Sequence, residues 1–65
     1  MFHKINDRTV VNLEDVSYVI VEMNQRGAFE LRIFLKQVEH YMFLEYVMEE
    51  DAVAAFEELV AKLKF

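Results

Sequence analysis

The chain has 65 residues, 55% of them hydrophobic and 14% aromatic, with no Cys, no Pro and a formal net charge of −5. That length allows one domain at most, close to the size at which a core alone stops being sufficient, and the composition excludes disorder. The absence of Cys excludes disulfides and thiolate zinc sites, which leaves assembly as the usual source of extra stability for so small a scaffold.

Phe2–Ile5 and Thr9–Leu13 are predicted to form a first hairpin around Asn6-Asp7-Arg8. Asn and Asp tolerate turn geometry, and Thr9, Val10 and Val11 are β-branched. Asn12-Leu13-Glu14-Asp15-Val16 breaks the alternation and reads as a turn or a single helical turn, with Asn12 bonding the backbone donors ahead of it.

Val16–Met23 and Ala28–Lys36 form the second predicted hairpin. In Asn24-Gln25-Arg26-Gly27, Asn opens and Gly closes a type I turn, and Gly can take the left-handed conformation of a bulge. That turn sets Met23 against Phe29, Val21 against Leu31 and Val19 against Ile33 on one face. On the other face Tyr18 opposes Phe34, Ile20 opposes Arg32, and Glu22 opposes Glu30. Arg32 is placed to screen both glutamates.

A tight turn at Gln37-Val38 leads into a strand over Glu39–Val47. The register that puts Phe34 against Tyr41, Ile33 against Met42 and Leu31 against Leu44 turns Met42, Leu44 and Tyr46 inward; a slip of one residue would reverse this. It also turns His40 inward, near Leu35. From about Met48 to Lys64 the pattern is helical, with Glu49, Glu50 and Asp51 in the first turn and Lys62 and Lys64 in the last. Val53, Phe56, Val60 and Leu63 make the apolar stripe, flanked by Ala52 and Leu59.

The fold class expected is α+β: an antiparallel sheet of four or five strands in meander order, with one C-terminal amphipathic helix packed on one face. One helix covers one face, built from Val19, Val21, Met23, Phe29, Leu31, Ile33, Met42 and Leu44. The opposite face keeps Tyr18, Ile20, Phe34, Tyr41 and Phe43, with Val47 beside them. An apolar patch rimmed by charge marks an interaction surface. Self-association as a homodimer is the first expectation for it, a different protein partner the second. The third is internal cover by the Phe2–Leu13 hairpin or by Phe65.

No constellation in the chain carries chemistry. His3 and His40 stand far apart without metal-ligand spacing, Ser17 has no base near it, and the single Gly cannot build a phosphate-binding loop. Glu49, Glu50 and Asp51 suit a helix N-terminus and lack the pattern of a calcium loop. The expectation is a non-catalytic interaction or regulatory module without cofactor, or else a small acidic accessory or inhibitor protein, phage-derived in one reading, that binds a basic partner. Nucleic acid is disfavoured by the charge, because only Arg32 lies on the aromatic face. No apolar run is long enough for a membrane span or a signal peptide, so the expected location is cytoplasmic.

The order of short strands, an Asn12-Leu13-Glu14-Asp15-Val16 step and a terminal helix resembles the small flagellar FlbD-type regulators. The chain lacks the Leu-Asn-Gly step and the Pro-Asp-Thr turn that make that family specific, so neither function nor site residues are taken from it.

Overall fold

The computed structural model describes residues 1–63. Its elements run β1 (Phe2–Asn6), β2 (Thr9–Asn12), a 3-10 turn (Leu13–Asp15), β3 (Val16–Met23), β4 (Phe29–Leu35), β5 (Tyr41–Tyr46) and α1 (Glu49–Leu63). The class is α+β, with every paired strand antiparallel.

The strands make two sheets and not one meander: β1 pairs with β2, and β3, β4 and β5 form a separate sheet with β4 in the middle. The break falls at Asn12. Its side-chain Oδ1 accepts the Glu14 backbone N–H at 3.2 Å, and the Val16 N–H donates back to the Leu13 carbonyl. That local bonding winds Leu13–Asp15 into a helical turn, which redirects the chain out of the plane in place of folding β3 back along β2.

In the three-stranded sheet the expected register holds over Tyr18–Met23, Phe29–Phe34 and Tyr41–Tyr46. It slips between Val16 and Tyr18, so that Val16 meets Leu35, and Lys36 and Glu39, expected as a pair, lie in the loop. Tyr18 pairs with Phe34, Val19 with Ile33, Ile20 with Arg32, Val21 with Leu31, Glu22 with Glu30 and Met23 with Phe29. Across the next pair Leu31 meets Leu44, Ile33 meets Met42 and Phe34 meets Tyr41. The cause of the first register is visible at the turn. Gly27 has φ +82°, its N–H donates to the Asn24 carbonyl at 3.1 Å, and the Asn24 N–H donates to the Ala28 carbonyl at 2.8 Å. Only a residue tolerant of positive φ closes a type I turn with that bulge.

Three details of the strand edges depart from the sequence pattern. β5 begins at Tyr41, two residues later than the alternation suggests, so His40 is an exposed loop residue and does not turn inward. Gln37 takes φ +62° in the preceding loop, which spends several residues on the reversal where a two-residue turn was expected. Met23, counted among the inward residues, is 63% exposed because it closes β3 at the end of the sheet, beyond the reach of the helix.

The core lies between this sheet and α1. Leu31, Ile33 and Leu59 are fully buried, with Val11, Val16 and Val19 around them. On the helix the centre of the buried face is Ala52 and Leu59, with Ala55, Phe56, Val60 and Leu63 at its sides. The stripe is therefore turned away from Val53, and the small Ala52 lets the helix backbone approach the sheet. The β1–β2 hairpin joins the same core from the helix side through Val11, Ile5 and Leu13. The Leu13 N–H donates to the Met1 carbonyl at 2.8 Å, which extends the β1–β2 ladder by one bond beyond the Phe2–Asn12 pair.

Candidate protein interface

The two registers combine into a grid on the sheet face turned away from the core. Reading across β3, β4 and β5, one row is Tyr18–Phe34–Tyr41, the next Ile20–Arg32–Phe43, and the third Glu22–Glu30–Glu45. The five residues singled out from the sequence, Tyr18, Ile20, Phe34, Tyr41 and Phe43, thus lie together. Val47 does not join them, since β5 ends at Tyr46.

The aromatic rings form a continuous ridge. Tyr18 and Phe34 stack at 4.3 Å between centroids with a 9° interplanar angle. Phe34 and Tyr41 are tilted at 4.9 Å, and Tyr41 meets Phe43 edge-on at 6.3 Å. Offset and edge contacts of this kind suit the ring quadrupoles, with negative faces against positive edges. The ridge remains open: Tyr18 is 49%, Tyr41 39% and Phe43 50% exposed. The N-terminal hairpin packs on the opposite side and gives it no cover, and Phe65, the other residue expected to reach it, lies outside the described residues.

The acidic row is partly neutralised by two neighbouring arginines. Arg32 donates through Nε to Glu30 and through Nη1 to Glu22, both at 2.9 Å, and its guanidinium carbon lies 5.3 Å from the Tyr41 ring centroid. Glu30 is buried, and its second oxygen accepts from Asn24 Nδ2 at 3.1 Å. Glu45 accepts from Asn24 Nδ2 at 2.6 Å and is ion-paired to Arg26. The Asn24 hydrogen bond, followed by the one from Arg32, holds the Glu30 carboxyl below its ordinary pKa.

Asn24 is the residue that sequence reasoning undervalued. Its Oδ1 accepts the backbone N–H groups of Arg26 (2.9 Å) and Ala28 (3.1 Å), while its Nδ2 bridges two carboxylates. One side chain therefore builds the turn and holds the acidic row together. The turn signal was visible in the sequence; the bridge depends on β5 returning beside the turn and has no local signal.

An open depression of about 470 Å³ lies at this end of the sheet, between Met23, Asn24, Gln25, Arg26, Glu30, Arg32 and Tyr41. Both of its arginines and Glu30 are already bonded to neighbours, so it offers shape but no polar group awaiting a ligand. Among the described residues, no three His, Asp or Glu side chains gather to hold a metal ion, and no helix is long and apolar enough to cross a membrane. His3 sits half-buried on β1 opposite Val11, well away in sequence and element from exposed His40.

Comparison of the chain with protein-family models, with curated proteins and with solved structures returns no match.

Proposed function

We propose that the protein is a non-catalytic, cytoplasmic interaction or regulatory module that self-associates as a homodimer through the Tyr18/Ile20/Phe34/Tyr41/Phe43 face. The observation that carries the reading is the open aromatic ridge on the side of the sheet that neither α1 nor the hairpin occupies. Burying such rings contributes roughly 25 cal/mol for each Å² removed from water. A two-fold arrangement lets one patch serve both copies, which is why dimers of this symmetry are common. With the two-fold axis running along the Tyr18–Phe34–Tyr41 row, the rings of the two copies meet and their acidic rows fall at opposite ends of the contact.

The test is sedimentation equilibrium of the wild-type chain beside Phe34→Glu/Phe43→Glu. The reading expects a wild-type mass above that of the monomer and a folded double variant of lower mass. Equal masses for the two would remove it.

A second reading rests on the outer surface of α1, where Glu49, Glu50, Asp51, Glu57 and Glu58 are all exposed. It makes the chain an accessory or inhibitor protein for a basic partner. Capture of such a partner should then fall steeply between low and physiological salt; salt-insensitive capture would argue against it.

A further inference from the structure

The three-stranded sheet has two unpaired edges, β3 and β5, since neither β1 nor β2 hydrogen-bonds to either. Which backbone groups β3 leaves open follows from the turn. The Asn24 N–H bonds to Ala28, and bonded pairs in an antiparallel ladder recur every second residue. Glu22, Ile20 and Tyr18 therefore direct their amides and carbonyls at β4, and Val19, Val21 and Met23 direct theirs outward.

Natural edge strands are usually blunted by Pro, by Lys, by short length or by a bulge. β3 has eight residues, VSYVIVEM, with one charge and neither Pro nor Lys. Its only irregularity lies between Val16 and Tyr18 and leaves Tyr18–Met23 regular. β5 is shorter, and its outward set includes Glu45, already tied to Arg26 and Asn24.

From this geometry we infer that the outer edge of β3 pairs antiparallel with β3 of a second copy, joining two three-stranded sheets into one of six strands. Among the registers that satisfy the outward groups, the one that keeps the two Glu22 residues well apart sets Val19 of one protomer against Val21 of the other, with Ile20 meeting Ile20 on the two-fold axis. β-Branched residues pair favourably across strands. Glu22 then stands beside Tyr18 of the other copy, and the two Glu22 residues lie about 14 Å apart along the strands, beyond the Debye length of about 8 Å at physiological salt.

Interface area points the same way, in a step that rests on the face reading above. Three strands by three rows cover about 300 Å², taking about 4.8 Å between strands and about 6.8 Å between like-facing residues. A standard interface buries about 800 Å² per partner. The aromatic face alone falls short of that, and edge pairing makes it continuous across two protomers.

Amide hydrogen exchange followed by NMR on the wild-type chain and on Phe34→Glu/Phe43→Glu tests the pairing without altering β3. Expected is protection of the Val19 and Val21 amides in both proteins, comparable to that of Ile20 and Glu22, falling on dilution as the mass falls. A mixed-label sample should also show contacts between Val19 and Val21 of different protomers. Rapid exchange at Val19 and Val21 in a sample whose Ile20 and Glu22 amides are protected would overturn the inference. Loss of mass in the double variant with that protection retained would locate the face and the edge as separate contacts. Unchanged mass with protection retained would remove the face reading and leave the edge standing.

Discussion

Tyr18 on β3 and Phe34 on β4 lie nearly parallel, ring centroids 4.3 Å apart and planes 9° from each other, directly opposite in the strand register. The stack joins a half-exposed ring to a half-buried one, so it links the stability of the hairpin to the surface proposed for association. A double-mutant cycle of Tyr18→Ala and Phe34→Ala should give a coupling of about 0.5–1.5 kcal/mol. Urea denaturation at a concentration where the chain is monomeric measures it. A coupling indistinguishable from zero would mean that the rings contribute only by their separate burial.

Leu59 fills the space against Leu31 and Ile33, and Val53 lies outside that cluster. Leu59→Ala should cost about 2–5 kcal/mol through lost transfer energy and the cavity left behind. For a domain of this length, with total stability of roughly 3–10 kcal/mol, that removes much of the folded population. Val53→Ala should cost less than about 1 kcal/mol. Thermal melts of the two variants separate the seatings of the helix: equal losses would mean that the Val53 stripe and not Ala52–Leu59 faces the sheet.

Much of this was legible locally. Asn24 through Gly27 defines a turn, the turn defines a register, and period-two alternation then assigns each residue of β3 and β4 to a face. The inward phase of Met42, Leu44 and Tyr46 follows from matching apolar faces, although the reversal before them is longer than the sequence suggests. What escaped was non-local or set by chain direction. The split into two sheets depends on one Asn12 side-chain bond that turns the chain out of plane. Exposure of Met23 depends on where the helix ends over the sheet, and the inward strand placement expected for His40 failed because the loop around Gln37, with its left-handed conformation, runs on to Tyr41. The members of the aromatic patch were legible from alternation alone; the Asn24 bridge to Glu30 and Glu45 was not, since nothing near Asn24 in sequence announces β5.

Gln37 at φ +62° and Gly27 at φ +82° are opposite cases of the same backbone requirement. A Cβ at Gly27 would meet nothing within 4 Å, so Gly27→Ala isolates the backbone cost of the left-handed region, about 1–2 kcal/mol. Gln37→Gly should stabilise by about 0.5–1 kcal/mol, the relief of strain exceeding the extra entropy of the unfolded chain. Denaturant midpoints of the two variants should move in opposite directions. A destabilised Gln37→Gly would show that the Gln37 side chain makes a contact worth more than the strain.

Glu30 is held below the ordinary carboxylate pKa first by the Asn24 side chain and then by Arg32. A carboxyl depressed on folding binds its proton more readily when unfolded. Its contribution is therefore complete above the unfolded value, near 4.3, and is lost as pH falls through the lower folded value. Tyr46 has the opposite shift: burial first, then Asp51 and Glu58, raise its hydroxyl above the ordinary 10, so its contribution is present below that value and declines as pH rises through the folded one. Urea midpoints of the wild type should fall on both flanks, in acid below about pH 4 and in alkali above about pH 10. Glu30→Gln should flatten the acid flank and leave the alkaline one unchanged, and Tyr46→Phe should do the reverse. Asn24→Ala should also flatten the acid flank, though less than Glu30→Gln, because with the largest cause of the Glu30 depression gone less stability is left to lose on protonation. An acid flank identical in wild type, Glu30→Gln and Asn24→Ala would assign acid sensitivity to other carboxylates and sever the link between the Asn24 bridge and the charge state of this face.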